Sequence, residues 1–327
     1  MTIQTDRPSE TPPPFAKGQV EEVAATWGLS GNLAITPFHR GENHHYLCRD
    51  GAADYFLRVS PPRGQEAGAL ASELAWIEVL SKMPGGTIAT PRILKTREGK
   101  LFHAMSFGDE LRFVVMLETL YGFHLTDPTR DDWHHYGQTL RTFHEAAKRI
   151  LETADASWIG RDRPGFSPQT FILDACETLL RAPWIEPDLA QAFAKEAAHL
   201  SEAVRRSSLL DDAQSFIHFD LHLANLLLTP DVWILLDFEE CRFGPRAIDL
   251  GVVRLHARSE GRLEAAWGPF REGYGDASVA DNAPLGAALR ALFLAGKIPN
   301  RMDVPDVEKD PHGILRGLLK CIRQEIN

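Results

Sequence analysis

The apolar positions change period about a third of the way along the chain. From Leu33 to about Val115 they alternate in short runs, the two-residue period of half-buried strands. Tyr46-Leu-Cys and Tyr55-Phe-Leu-Arg-Val-Ser predict two strands of a hairpin turning at Asp50-Gly51, and Phe102-His-Ala-Met-Ser and Arg112-Phe-Val-Val-Met-Leu predict two more. One helix interrupts them, expected from about Glu66 to Met83 and ended by Pro84-Gly85-Gly86. A short helix over Gln19–Trp27, stopped at Gly28, precedes the strands. Before it lies a polar leader that ends in Pro12-Pro13-Pro14 and reads as extended and frayed. After Tyr121-Gly122 the period lengthens. From Asp131 onward Trp133, Tyr136, Leu140, Phe143, Ala147 and Ile150 recur at spacings of three and four, the stripe of a core-facing helix. The expectation is an α+β chain of two lobes joined near Leu117–Gly122. It comprises a leader over 1–18, a small β-rich N-lobe over 19–118 and a larger, mainly helical C-lobe over 119–327.

One stretch of the helical part breaks the pattern. Leu226–Leu228 and Val232–Leu236 flank Thr229-Pro230-Asp231, which reads as strand, turn and strand. Counted outward from the turn, Asn225 and Asp237 fall at the open end of this hairpin. An amide oxygen and a carboxylate side by side there suit one hard cation such as Mg²⁺. Asp220, five residues before Asn225, sits on a loop, where a second carboxylate can receive the proton of an alcohol nucleophile. The N-lobe helix offers a separate clue. At 100° per residue from Leu70, Leu74 lies at +40°, Ile77 at −20° and Leu80 at −80°, and Glu73 at −60° falls inside this apolar stripe. A carboxylate facing a core needs a cationic partner, and the strand residue Arg58 is the natural one.

The order His218-x-Asp220-x₄-Asn225, then Asp237-Phe238, resembles the catalytic core of protein-kinase-like phosphotransferases. More closely, IHFDLHLANLLL and LLDFEECRFGPRAIDL resemble the aminoglycoside phosphotransferase family, a group that includes homoserine kinase type II, choline kinases and bacterial stress-response Ser/Thr kinases. The resemblance runs roughly from Leu33 to Tyr274. It implies a two-lobed protein-kinase-like fold with ATP and Mg²⁺ at the hinge between the lobes and transfer of the γ-phosphoryl group to a hydroxyl. In that frame Asp220 is the catalytic base, and Asn225 and Asp237 hold Mg²⁺. His218 braces the loop, and Asp249 anchors the chain after the Asp-Phe segment. Arg58 stands where protein kinases carry a phosphate-binding Lys, paired with Glu73; its fork binds phosphate differently from an ammonium. The phosphate-covering turn is Phe38-His-Arg-Gly-Glu-Asn-His-His, without a GxGxxG, and its amides around Gly41, Glu42 and Asn43 are placed to cap phosphate oxygens. Met116–Thr119 forms the hinge strand, with the backbone of Met116, Leu117 and Glu118 facing the adenine.

Composition narrows the alternatives. With 35 Lys+Arg against 45 Asp+Glu the net charge is −10, which argues against a sequence-independent nucleic-acid binder. No run of 18 apolar residues marks a membrane span, and the N-terminus lacks the pattern of a signal peptide. The four cysteines are scattered without a CxxC pair, so a cytoplasmic protein with reduced thiols is expected. His218-Phe-Asp220-Leu-His222 also fits an HxDxH metal pattern, but no companion motif such as HExxH supports a zinc hydrolase. Only about eight residues separate Asp237 from Pro245, too few for a regulated activation loop, which favours a small hydroxylated acceptor: an amino alcohol, an aminoglycoside or a sugar. A stress-response-type protein Ser/Thr kinase is the alternative, and a non-catalytic nucleotide-binding protein is the alternative of another class. Glu239 and Glu240 would draw a cationic acceptor, or equally pair with Arg242 or Arg246. Asp174 and Glu177 read as a solvated helix face or as acceptor contacts. The histidine pairs His44-His45 and His134-His135 are expected at the surface. Oligomeric state is left open.

Overall fold

The computed structural model of the chain describes residues 15–29, 33–40, 43–51, 53–60, 66–83, 89–107, 109–153, 163, 165–229, 232–302 and 304–326. Helix α1 (Lys17–Ala24) runs into a 3-10 turn over Ala25–Trp27 and stops at Gly28, where the spacing predicts an end. The alternating segment then forms β1 (Ala34–Arg40), β2 (Asn43–Asp50), β3 (Ala53–Val59), helix α2 (Ala67–Leu80), β4 (Ile93–Leu94), β5 (His103–Phe107) and β6 (Glu110–Glu118). These strands make one antiparallel sheet in the order β1-β2-β3-β6-β4. Strand β5 pairs with the first half of β6, from Phe107↔Glu110 to His103↔Val114. Gly41, Glu42, the proline-rich leader and Pro84-Gly85-Gly86 lie outside the described residues.

Period two sorts the side chains of the sheet. Tyr46 and Cys48, Leu57 and Val59, and Val114 and Met116 share a face and close with Val20 and Val23 of α1 into one buried cluster. Arg58 lies between Leu57 and Val59 and therefore projects from the opposite face. Helix α2 supplies the cover there through Leu70, Leu74, Ile77 and Leu80, all buried. His44 and His45 are not surface residues as expected. They are half-buried, because rings of neighbouring segments cover them: His45 stacks on Phe56 at 5.0 Å and His44 lies edge-on to Phe15 at 5.9 Å.

Beyond β6 come α3 (Arg130–Leu151), α4 (Pro168–Arg181), α5 (Pro187–Arg206), β7 (Phe216–Ile217), β8 (Leu226–Leu228), β9 (Trp233–Leu235) and β10 (Arg242–Phe243). After them follow α6 (Ala247–Ser259), α7 (Leu263–Tyr274), α8 (Ala277–Ala280), α9 (Ala283–Lys297), α10 (Pro305–Lys309) and α11 (Pro311–Ile326). The predicted stripe of α3 is buried at every position from Trp133 to Ile150. Helices α6 and α9 approach to backbone contact. A Cβ on Gly251 would lie 2.2 Å from Ala287 N, and one on Gly286 would lie 2.1 Å from Ala247 O.

By its contacts the chain divides into two units, Met1–Leu125 with Glu152–Arg163 and Leu226–Glu239, and Thr126–Leu151 with Pro164–Asn225 and Glu240–Asn327. The expected break at residue 118 therefore moves to Leu125, and the β8–β9 hairpin groups with the first unit. Backbone bridges explain this: Leu228 pairs with Phe123 and Ile234 with Ala89. Among the described residues no helix is long and apolar enough to cross a membrane.

Candidate active site

In the first unit, Glu73 on α2 has no exposed surface and its carboxylate lies 2.8 Å from the Arg58 guanidinium. The carboxylate that periodicity sets inside an apolar stripe thus meets the strand cation. Burial alone would lower the Arg58 pKa, but the charges of Glu73, Glu239 and Asp237 outweigh it and hold the guanidinium above its usual value. Asp237 follows β9 with φ 61°, a left-handed turn that a non-glycine residue adopts only where the surroundings enforce it. Its side chain is exposed while the next residue, Phe238, is buried. Arg163 fixes this turn, donating to the carbonyls of Phe238 and Glu239 and to the Ala69 carbonyl at the start of α2. Asn43 Nδ2 donates to the Glu239 carboxylate at 2.6 Å. That contact adds the phosphate-turn residue to the same cluster and engages one carboxylate that was expected to attract a cation.

The backbone of Met116 and Leu117 is flanked by β3 on one edge and β4 on the other. Glu118 N–H donates to the Arg92 carbonyl at 2.9 Å, and its side chain pairs with Arg92 at 3.0 Å. Met116 and Leu117 thus have strand neighbours on both edges, because β4 lies along the edge of β6 opposite β3.

In the second unit, β7 pairs with β10, and the loop after β7 carries His218, Asp220 and Asn225. Asp249, fully buried on α6, accepts from His218 N–H at 2.9 Å and from Phe219 N–H at 2.6 Å. Its second role is to hold His144 of α3, whose Nε2 lies 3.0 Å away and whose Nδ1 meets the Tyr274 hydroxyl at 3.0 Å. Phe219 has φ 70°, the second left-handed non-glycine residue of the chain's described part. The Tyr136 hydroxyl donates to the Leu221 carbonyl. Asp249 therefore anchors the loop before Asp220 rather than only the chain after Asp237. The bonds to His218 N–H, Phe219 N–H and the Leu221 carbonyl hold backbone, so the Asp220 side chain is presented on a rigid support.

Asn225 Nδ2 donates to the Asp220 carbonyl at 2.9 Å, which turns the amide oxygen outward as an acceptor. The Asn225 carboxamide oxygen and, in the first unit, the exposed Asp237 carboxylate are each a hard oxygen donor of the kind that suits Mg²⁺. The Asp220 carboxylate meets the guanidinium of Arg290, which is 3 % exposed on α9. Arg290 also binds Glu240, and Lys297 binds the other oxygen of Glu240. Burial would raise the Glu240 pKa, but the two cations overcome it and keep the carboxylate ionised far below its usual range. The expected pairing of Glu240 with Arg242 or Arg246 is thus corrected. Arg242 Nε donates to the Glu240 backbone carbonyl, and Arg246 pairs with Asp212 at 2.7 Å. Sequence reasoning missed Arg290, although an Arg among Ala287, Leu289, Ala291 and Leu292, all buried, is the same kind of signal as Glu73.

His222 and His256 stack at 4.5 Å with their planes 31° apart, and each offers a ring nitrogen near an Asp220 oxygen, within 4.8 Å. Burial pushes both imidazoles down, His256 to about 3, so both are neutral at pH 7. Stacked rings direct their lone pairs along near-parallel planes instead of at one point, and His222 Nδ1 accepts from Ala224 N–H at 3.2 Å. The three ligand atoms are close enough for a cation, but the chain supplies no companion motif such as HExxH for a zinc hydrolase.

A family model described as the phosphotransferase enzyme family matches residues 34–291. Among solved structures, the chain is similar to a microcompartment-associated aminopropanol kinase, with TM-score 0.78, 21 % identity and coverage of 94 % of this chain and 96 % of that one. It is similar to an amicoumacin kinase solved with AMP-PNP, Ca²⁺ and Ami, with TM-score 0.75, 16 % identity and coverage of 94 % of both chains. A spectinomycin phosphotransferase solved with ADP and spectinomycin aligns with TM-score 0.62 at 14 % identity, covering 95 % of this chain and 99 % of that one. These likenesses establish an α+β protein-kinase-like fold. Methylthioribose kinase 2 of Oryza sativa subsp. japonica is 31 % identical over 70 residues, which is 21 % of this chain and only 16 % of that enzyme's length.

Proposed function

Since this chain belongs to the phosphotransferase enzyme family and is a kinase, we propose that it moves the γ-phosphoryl group of ATP to the hydroxyl of a small molecule in the cytoplasm. The observation that carries this reading is the loop His218–Asn225, pinned by Asp249 through two backbone amides, with Asp220 held toward a partner and Asn225 turned by its own hydrogen bond. Asp220 orients the acceptor hydroxyl and takes its proton. Arg58, kept charged by Glu73, meets the phosphates, with amides near Asn43 and the chain after Glu118 as further contacts to the nucleotide. Mg²⁺, when bound, neutralises phosphate charge, and Asn225 and Asp237 are the side chains that would hold it. Transfer of this kind relies on positioning and electrostatics, which rigid loops and buried ion pairs supply.

A small acceptor is supported by a cleft of about 510 Å³ in the second unit, walled by Phe171 and Phe293. Both rings pack on Phe219, the residue before Asp220, at 5.7 and 5.0 Å. A volume of that size suits a metabolite. The test is a coupled ADP-release screen over hydroxylated metabolites with Mg²⁺ and with EDTA. Acceptor-stimulated, Mg²⁺-dependent release is expected. Phosphate transfer to proteins of a mixed extract, with no metabolite active, would support a protein kinase instead. ATP binding with no acceptor of either kind would support a non-catalytic nucleotide-binding protein.

A further inference from the structure

The carboxylates expected to recognise a cationic acceptor are already engaged. Glu239 receives Asn43, and Glu240 is clasped between Arg290 and Lys297, with Arg290 continuing to Asp220. The aromatic wall of the cleft packs on Phe219, the residue before Asp220, and its Lys297 is joined to Asp220 by that same chain of side chains. Its wall is apolar, formed by Phe171 and Phe293 stacked at 5.0 Å and 9°. Its basic end holds Lys297 and Arg242. Arg242 lies 3.9 Å above the Phe219 ring and 5.2 Å from that of Phe293, so its charge acts next to aromatic faces where water screens it little. Asp174 lines the cleft from the exposed side of α4, where solvent weakens its field.

We propose that the acceptor is an anionic alcohol, its carboxylate or phosphate group held by Lys297 and Arg242 in this cleft and its hydroxyl presented to Asp220. This inference rests on the kinase reading above. The ion-pair chain Lys297–Glu240–Arg290–Asp220 then has a purpose beyond stability. It holds the anion-binding cation and the proton acceptor in one rigid frame, so that recognition of one end of the molecule aligns the other. An amino alcohol brings its positive charge to the basic end of the cleft and is repelled there. A neutral diol gains nothing from either cation.

The experiment compares four matched series of three to six carbons in the Mg²⁺-ATP-dependent ADP-release assay. They are ω-hydroxycarboxylates, hydroxyalkyl phosphates, diols and amino alcohols. At least a tenfold higher kcat/KM for one of the anionic series over diols and amino alcohols is expected, and which of the two leads distinguishes carboxylate from phosphate. Lys297→Met should raise the KM of the preferred anion at least tenfold while the KM for diols stays within twofold, and Lys297→Arg should restore most of the affinity. Preference for diols or amino alcohols overturns the inference and leaves the kinase reading standing. So does a Lys297→Met variant that lowers kcat equally for every series with KM unchanged, the mark of a structural role through Glu240. Turnover of none of the series above basal hydrolysis overturns the inference, while the broader screen over hydroxylated metabolites decides the kinase reading separately.

Discussion

Glu73 has no contact with water, and its charge is tolerated because Arg58 sits 2.8 Å away. Glu73→Gln would leave a buried guanidinium short of its nearest anion and is expected to destabilise the protein by about 3 kcal/mol, the range found when one partner of a buried pair is removed. Urea denaturation measures it, and ATP affinity should fall in the same variant because Arg58 loses its anchor. The pair was legible because a helix places residues at fixed angles, so one charged side chain inside an apolar stripe announces itself. Arg290 carries the same signal within α9, but its partners Asp220 and Glu240 are 70 and 50 residues away in sequence. Periodicity says that a buried charge needs a partner; only the folded chain selects which.

Helix α6 joins the loop's anchor to the rest of the second unit. Asp249 lies in its first turn, Gly251 meets α9, and His256 stacks on His222. An added methyl at Gly251 has backbone atoms at 2.2 and 2.3 Å that cannot rotate away. Gly251→Ala is therefore expected to cost about 2 kcal/mol or more despite the better helix propensity of Ala, with a fall in Tm of several degrees. His256 adds a pH dependence. Its pKa falls from 6.5 to about 3 on folding because burial disfavours the imidazolium. The unfolded chain thus binds a proton that the native state refuses between these values. The stability is present in full above pH 6.5 and is lost as the pH falls toward 3, by about 2 kcal/mol between pH 6.5 and 5. Denaturation curves at pH 7 and pH 5 should show this loss in the wild type and a smaller one in His256→Phe. At this scale the strands, α2, α3 and the β8–β9 hairpin were legible from period and turn residues. The edge that β4 closes beside Met116 and Leu117 was not, since a two-residue strand leaves no periodic signal.

Across the whole molecule, the site residues come from distant parts of the sequence. The hairpin that follows Asn225 groups with the first unit through single backbone bridges at Phe123 and Ala89, which no local pattern encodes. The net charge of −10 proved a poor guide to the acceptor. Glu73, Asp220, Asp249 and Glu240 are each matched to a named cation or donor, and the cleft beside Phe219 is basic at one end. The motif from His218 to Phe238 was legible at the level of chemistry, because spacing within one hairpin is local. The ion-pair chain that continues from Asp220 to Lys297 was not. The most direct test of the account is the rate of Mg²⁺-dependent ADP release by wild type and Asp220→Asn on the same acceptor, with ATP affinity measured alongside. A fall in kcat of at least about 100-fold with ATP affinity unchanged is predicted. An Asp220→Asn variant that keeps kcat within a few-fold of wild type would contradict the assignment of Asp220 as the base.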